Sequence, residues 1–325
     1  DGSTPLFQDS ETLKKLLEPT LFYGDQAYPR NAHGFWVSGY AVPVYGHGGN
    51  TATHSAMLWI DPVSHIGAVL LTNQANEAVF NKELGMIIYG DFQPLESATN
   101  PESVTEGVYQ ISRTIQNGFG KIYGLVNRIV LKKTDTGYEG SAPGLTIPLQ
   151  FVAADLVTSE GMMASIDKDP NENEVIRFYV MDLYKIPELQ NTLEWVFVGL
   201  WVAAVLYSLI MLILALINAV RVKRGKSSAN YGADGKRALI YLVTVLTLIP
   251  IIFLVLGVAG FQHSESYRIY PTILLAVMVL QVALFAWQFV SLFFSQNTPR
   301  VRGILACLTA LISATTIYYW QFYQF

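Results

Sequence analysis

The sequence predicts a multidomain α/β-plus-membrane chain in three parts. These are an α+β antiparallel-sheet segment over 1–92, a small all-β domain over 93–190 and a four-helix transmembrane region over 191–325. Three observations carry that reading. Four long apolar runs, nearly free of charge, all fall after residue 190. Short β-prone runs separated by turn residues fill 102–187. Between the first two parts, Gln93-Pro94 and Ser97-Ala98-Thr99-Asn100-Pro101 read as a linker. Composition agrees, because 51% of the 325 residues are hydrophobic and only 14% charged. The net charge is −4 with no basic domain, so nucleic acid is not an expected partner. Cys307 is the single cysteine, which excludes an internal disulfide framework and a cysteine-based metal site.

In chain order, Ser10-Glu11-Thr12-Leu13 opens with a helix-cap pattern, and Pro19 ends the short helix. Gly34 to Val44 is aromatic and β-branched and reads as one strand. Ala56 to Ile60 and Ile66 to Thr72 flank a turn at Asp61-Pro62 and read as a hairpin. Asn76 to Tyr89 carries Val79, Phe80, Leu84, Ile87 and Ile88 at helical spacing. Strands followed by a helix give an antiparallel sheet edge covered by a terminal helix.

The second part has β-prone runs at Gly107 to Ile111, Arg128 to Lys132, Gly137 to Glu139, Thr146 to Val152 and Val175 to Val180. Asp135-Thr136-Gly137 and Asp167-Lys168-Asp169-Pro170-Asn171 punctuate them as turns. Tyr184 to Asn191 then leads toward the membrane.

Trp195 to Val220, Ala238 to Gln262, Tyr270 to Phe294 and Ile304 to Phe325 are each long enough to cross a hydrocarbon core of about 30 Å. The loop 221–237 holds Arg221, Lys223, Arg224, Lys226, Lys236 and Arg237 against one Asp234, and the loop 295–303 holds Arg300 and Arg302. The positive-inside rule makes both loops cytoplasmic, which places 1–190 and the C-terminus outside. The aromatic cluster from Tyr318 to Phe325 suits a membrane–water interface there. Gln281 and Gln288 lie seven apart on one helical face and read as interhelical hydrogen-bond partners, and Pro250 as a kink. The spans hold almost no ionisable residues, which disfavours a transport pathway.

The chemistry-bearing stretch is Tyr45-Gly46-His47-Gly48-Gly49-Asn50-Thr51, a His inside a glycine-rich turn. Ser55 to Ile60, Asp61-Pro62 and Ile66 to Asn73 follow it, and Gly34-Phe35-Trp36-Val37 precedes it. Alone, such a His is most simply a turn residue. In this order the stretch resembles the end of the class C β-lactamase-like, or penicillin-binding-protein-like, serine hydrolase family, over residues 1–92. That family carries its third active-site motif, Lys-Thr-Gly or His-x-Gly, on the strand that walls the active site. The resemblance implies a catalytic set of His47, Gly49 and Asn50, with Gly48 and Thr51 binding substrate. The Asn50 N–H would be one oxyanion donor. His47 would face the cavity, and the glycines would let backbone approach substrate.

The family's Ser-x-x-Lys and Tyr-x-Asn motifs are missing in matching context, and the chain starts at Asp1 without a signal peptide. The expectation is therefore the C-terminal part of a membrane-anchored, extracytoplasmic enzyme of the bacterial cell envelope. An upstream segment or a separate chain would supply Ser, Lys and Tyr. Its partners would be that N-terminal part, the lipid bilayer and a peptide- or amide-like substrate. No cofactor and no metal are expected. His33, His54, His65 and His263 are isolated, and no H-E-x-x-H spacing occurs. Gly118-Phe119-Gly120 lacks the strand-to-helix setting of a phosphate loop, and no Gly-x-Ser-x-Gly elbow is present. The alternative is a catalytically silent relative that binds an envelope ligand or partner.

Overall fold

A computed structural model of the chain describes every residue except 1–6, 10, 25–27, 52, 76, 78, 92–104, 135–136, 143–144, 153–154, 160–161, 179, 227–230, 260–264, 295–299 and 325. The expected linker at 93–101 and His263 lie outside the described residues. The chain forms two compact units, Asp1–Arg113 with Asn127–Pro187, and Thr114–Val126 with Glu188–Phe325.

The first unit begins with helix α1 (Glu11–Leu16), whose first turn donates the Glu11 N–H to the Asp9 carboxylate at 2.9 Å. Strands β1 (Leu21–Phe22), β2 (Pro29–Ala32), β3 (Phe35–Gly39), β4 (Pro43–Asn50), β5 (Ser55–Asp61) and β6 (Ile66–Thr72) then make an antiparallel sheet in sequence order. Gly34 to Val44 is thus two strands and not one. The chain turns at Tyr40-Ala41-Val42, because the Tyr40 ring folds into the core against Tyr89 with centroids 6.0 Å apart. The β5–β6 hairpin forms as its sequence indicates. The Val63 and Ser64 amides donate to the Asp61 carboxylate at 2.8 and 3.1 Å, so a side chain shapes the turn.

Helix α2 (Val79–Tyr89) follows. The Glu77 carboxylate accepts the Phe80 and Asn81 N–H groups at 2.8 and 3.0 Å, satisfying donors that a helix start leaves open. Trp59, Val44, Tyr40 and Tyr89 form one core, joined by Leu70 and Leu84. A second core gathers Leu17, Ala32 and Tyr45 with Phe35, Val37 and Ile60.

Strands β7 (Gly107–Ile111), β8 (Arg128–Thr134), β9 (Gly137–Ala142), β10 (Leu145–Phe151), β11 (Leu156–Ser159), β12 (Met162–Lys168), β13 (Glu174–Phe178) and β14 (Asp182–Ile186) form a closed eight-stranded barrel. Each strand pairs antiparallel with the next, and β14 closes on β7 through Leu183↔Ile111 and Ile186↔Val108. Closure removes the edges that a small open sheet would expose. Tyr109, Leu131, Phe151, Ala164 and Ile176 belong to the barrel's packed core. Strands β11, β12 and β14 have no counterpart in the sequence reading. The run Met162-Met163-Ala164-Ser165 is poor in β-branched residues, and β14 adjoins the apolar run that dominates its surroundings.

The barrel grips the sheet through β2. Arg30 reaches the Asp182 carboxylate at 2.5 Å and the Phe178 carbonyl at 2.8 Å. Arg177 also holds Asp182, at 3.2 Å, and Asp167, at 2.7 Å. Among the described residues β6 has no strand on its outer side.

The second unit starts with the segment between β7 and β8. A 3₁₀ turn (Phe119–Ile122) and helix α3 (Tyr123–Val126) occupy the position of Gly118-Phe119-Gly120. Leu125 packs with Ile251, Leu254, Leu274, Ile317 and Trp320. The Gly118 N–H donates to Gln321 Oε1 at 2.7 Å, and the Tyr123 hydroxyl donates to the Val255 carbonyl.

Helix α4 (Glu188–Lys223) has 36 residues and is about 54 Å long at 1.5 Å per residue, well beyond a bilayer core. Helices α5 (Tyr231–Leu246) and α6 (Leu248–Ala259) break at Thr247, three residues before Pro250. Pro250 has no N–H for the carbonyl four residues back, which accounts for the break. Helices α7 (Ile269–Phe294) and α8 (Arg300–Tyr319) complete the unit.

Four spans, Glu188–Lys223, Arg237–Leu256, Ile269–Phe294 and Arg300–Tyr319, are long and apolar enough to cross a membrane. Ala306 and Ala310 lie at a packed interface with Leu284 and Ile240, as small residues between membrane helices do. Gln281 donates to Thr244 Oγ1 at 3.0 Å, an interhelical bond of the expected kind. In the aromatic cluster, Trp320 and Phe322 are buried in the unit's core, while Tyr318 is exposed.

Candidate functional site

The stretch expected as a glycine-rich turn is the second half of β4. Its residues pair along β5 in unbroken register, Gly46↔Trp59, His47↔Leu58, Gly48↔Met57, Gly49↔Ala56 and Asn50↔Ser55. The turn comes afterwards, closed by the Thr51 N–H on the His54 carbonyl at 2.8 Å. Strand β3 reaches β4 only as far as Trp36↔Gly46. From His47 to Asn50, β4 therefore continues with a strand on one side only, among the described residues. Backbone groups on the other side can meet an extended ligand.

The three glycines serve different ends. A Cβ on Gly46 would collide with the Leu58 carbonyl. One on Gly48 would stand 2.9 Å from Met57 Sδ, 3.3 Å from the Ala56 carbonyl and 3.5 Å from the Trp36 ring. One on Gly49 would meet nothing within 4 Å. Backbone packing demands Gly46, a Cβ at Gly48 would force the Met57 side chain aside and crowd the Ala56 carbonyl, and Gly49 alone leaves the strand surface open.

His47 is exposed, with its imidazole stacked on the Trp36 indole at 4.3 Å between centroids and 25° between planes. Asn50 uses its side chain structurally. Its Oδ1 accepts the Ser55 hydroxyl at 2.6 Å, and that hydroxyl lies 2.8 Å from the Gln74 carbonyl and accepts the Glu77 N–H at 3.0 Å. Ser55 is buried and fully engaged, so it is no nucleophile. The Thr51 hydroxyl accepts the His54 N–H at 3.0 Å and so serves the turn. The structure brings His47, Gly48, Gly49 and Asn50 together on one strand, with Thr51 just past its end. Trp36, Ser55 and Glu77 support them and carry no signal in the sequence, since a ring stack, a strand pairing and a hydrogen bond in the fold make them neighbours.

The register also extends the site sideways. His47 faces Leu58 and then Val69, and Gly49 faces Ala56 and then Leu71. Directly paired residues share a sheet face. Val69 and Leu71 are 67% and 75% exposed, so that face is apolar and uncovered beside His47.

Buried Tyr45, also on β4, has its phenol raised by burial. Burial would raise the Asp61 carboxyl as well, but hydrogen bonds from Ser64 and Val63, with His65 nearby, outweigh it and hold the group below its usual range. His33 and His65 adopt positive φ of 50° and 58° in turns, and His54 Nδ1 lies 2.7 Å from the Thr53 hydroxyl. Among the described residues no group of three or more His, Cys, Asp or Glu could hold a metal ion. Compared with known proteins, the chain matches no protein-family model and no curated protein.

Proposed function

We propose that the six-stranded sheet is the C-terminal part of a class C β-lactamase-like serine hydrolase, anchored in the membrane by the four apolar helices. The observation that carries the reading is the overhang of β4. It presents His47, an unobstructed Gly49 and an unpaired backbone edge on a face left unfinished at Val69 and Leu71. An apolar face of this kind beside polar site residues marks a surface that another element covers. That covering element would supply a Ser with its Lys, and a Tyr.

The Ser hydroxyl would attack an amide or ester carbonyl as the Lys/Tyr pair takes its proton; the C–N or C–O bond would then break, the proton passing to the departing amine or alcohol and leaving an acyl-serine. The Asn50 N–H would donate to the developing oxyanion, and His47 would contact the carbonyl compound or the base. By the positive-inside rule, the cations Arg221, Lys223, Arg224 and Lys226 at the end of α4 would put that end in the cytoplasm and the sheet outside. Membranes holding the complete protein should take up a fluorophosphonate or a fluorescent penicillin covalently. An absence of any adduct on folded protein would instead favour a silent receptor that uses the same face to bind an envelope ligand.

A further inference from the structure

We propose that Trp36 is a positioning residue that fixes the His47 imidazole over the open end of β4. The inference deepens the hydrolase reading and rests on it. The two rings stack at 4.3 Å with their planes 25° apart. His47 is exposed, and among the described residues no hydrogen bond or ion pair holds its ring. The indole face is therefore what restrains it.

A stack has a chemical advantage over a hydrogen bond here. It holds the imidazole by its face and leaves both ring nitrogens, which lie in the ring plane, free for substrate or for a catalytic base. A histidine fixed by a hydrogen bond would commit one nitrogen to its anchor.

Trp36 is itself well anchored. Its backbone pairs with Asn31 on one side and Gly46 on the other, at the last paired position of β3 beside β4. Its ring then continues past the end of the pairing and runs along the overhang. The edge of the ring lies 3.5 Å from where a Gly48 Cβ would be. That distance is ordinary van der Waals contact, so the indole lies directly along the Gly48 backbone. Sequence spacing hides the pair, since eleven positions separate the rings, and so does the register, which sets Trp36 opposite Gly46; the rings meet beside the end of the β3–β4 pairing.

The test uses the complete protein carrying ¹³C-labelled histidine, with the His47 resonance assigned by its disappearance in His47→Gln. The indole should displace the His47 ring signals upfield. Trp36→Ala should abolish that displacement and slow serine acylation by a fluorophosphonate about 10- to 100-fold, the range expected for misplacing a reacting-site group. The loss should fall on the maximal rate and leave half-saturation nearly unchanged. Trp36→Phe should restore most of both the displacement and the rate. An undisplaced His47 signal in the wild type, or a wild-type acylation rate in Trp36→Ala once the displacement is gone, overturns the positioning role alone. Failure of the wild-type protein to acylate overturns the hydrolase reading and this inference with it.

Discussion

Alanine at position 48 would place its Cβ 2.9 Å from Met57 Sδ and against the Trp36 ring, whereas alanine at 49 would enter open space. Gly48→Ala should therefore destabilise by about 1–3 kcal/mol, the usual range for overpacking. Gly49→Ala should melt like the wild type yet acylate more slowly, because the added methyl stands where substrate backbone would approach. Equal stability of both variants, measured by thermal melting, would remove the packing distinction between them. Asp61 carries a second prediction. Its folded carboxyl lies below the ordinary 3.8, because the Ser64 and Val63 hydrogen bonds outweigh burial. A depressed carboxyl adds stability above its unfolded value, and that stability is lost as pH falls through the folded value. Wild-type melting temperature should drop more steeply below pH 3.8 than that of Asp61→Asn, and parallel pH profiles would contradict the assignment.

Val69 and Leu71 are exposed on the face of β6 that carries His47, Phe80 and Ile87 are exposed on α2, which packs on the other face, and β6 has a free outer edge among the described residues. Residues 1–92 expressed alone should thus be insoluble or molten, and a cooperative thermal transition for that fragment would contradict this. The elements that the sequence made legible are those with strong local signals. Asp61-Pro62 marked the β5–β6 turn, and spacing over Val79 to Ile88 marked α2. A kink from Pro250 and an interhelical bond from Gln281 were legible, whereas the position of the break at Thr247 and the partner Thr244 were not. What stayed hidden depends on distant partners. The Tyr40 turn exists because of Tyr89, and β12 holds its place between β11 and β13 despite weak propensity. The role of Gly48 appears only when Met57 and Trp36 are set beside it.

Among the described residues, an eight-stranded barrel follows a six-stranded sheet, and four spans can cross a bilayer. The charge pattern predicts their direction. In a Cys307→Ser background, Lys226→Cys should react with an impermeant thiol reagent only from the cytoplasm, and Lys133→Cys and Gln324→Cys only from outside. The reverse pattern would overturn both the orientation and the extracytoplasmic hydrolase. The central claim, that β4 is the wall of an acyl-transfer site, is most directly tested by acylation rates of the complete protein and three variants. His47→Ala should acylate about 10²–10⁴-fold more slowly with an unchanged fold. Asn50→Ala keeps the backbone N–H and loses only the bond to Ser55, so it should cost about 1 kcal/mol of stability and little rate. Asn50→Pro removes the proposed oxyanion donor and should be severe. A wild-type rate in His47→Ala, or equal losses in the two Asn50 variants at equal melting temperature, would contradict the account.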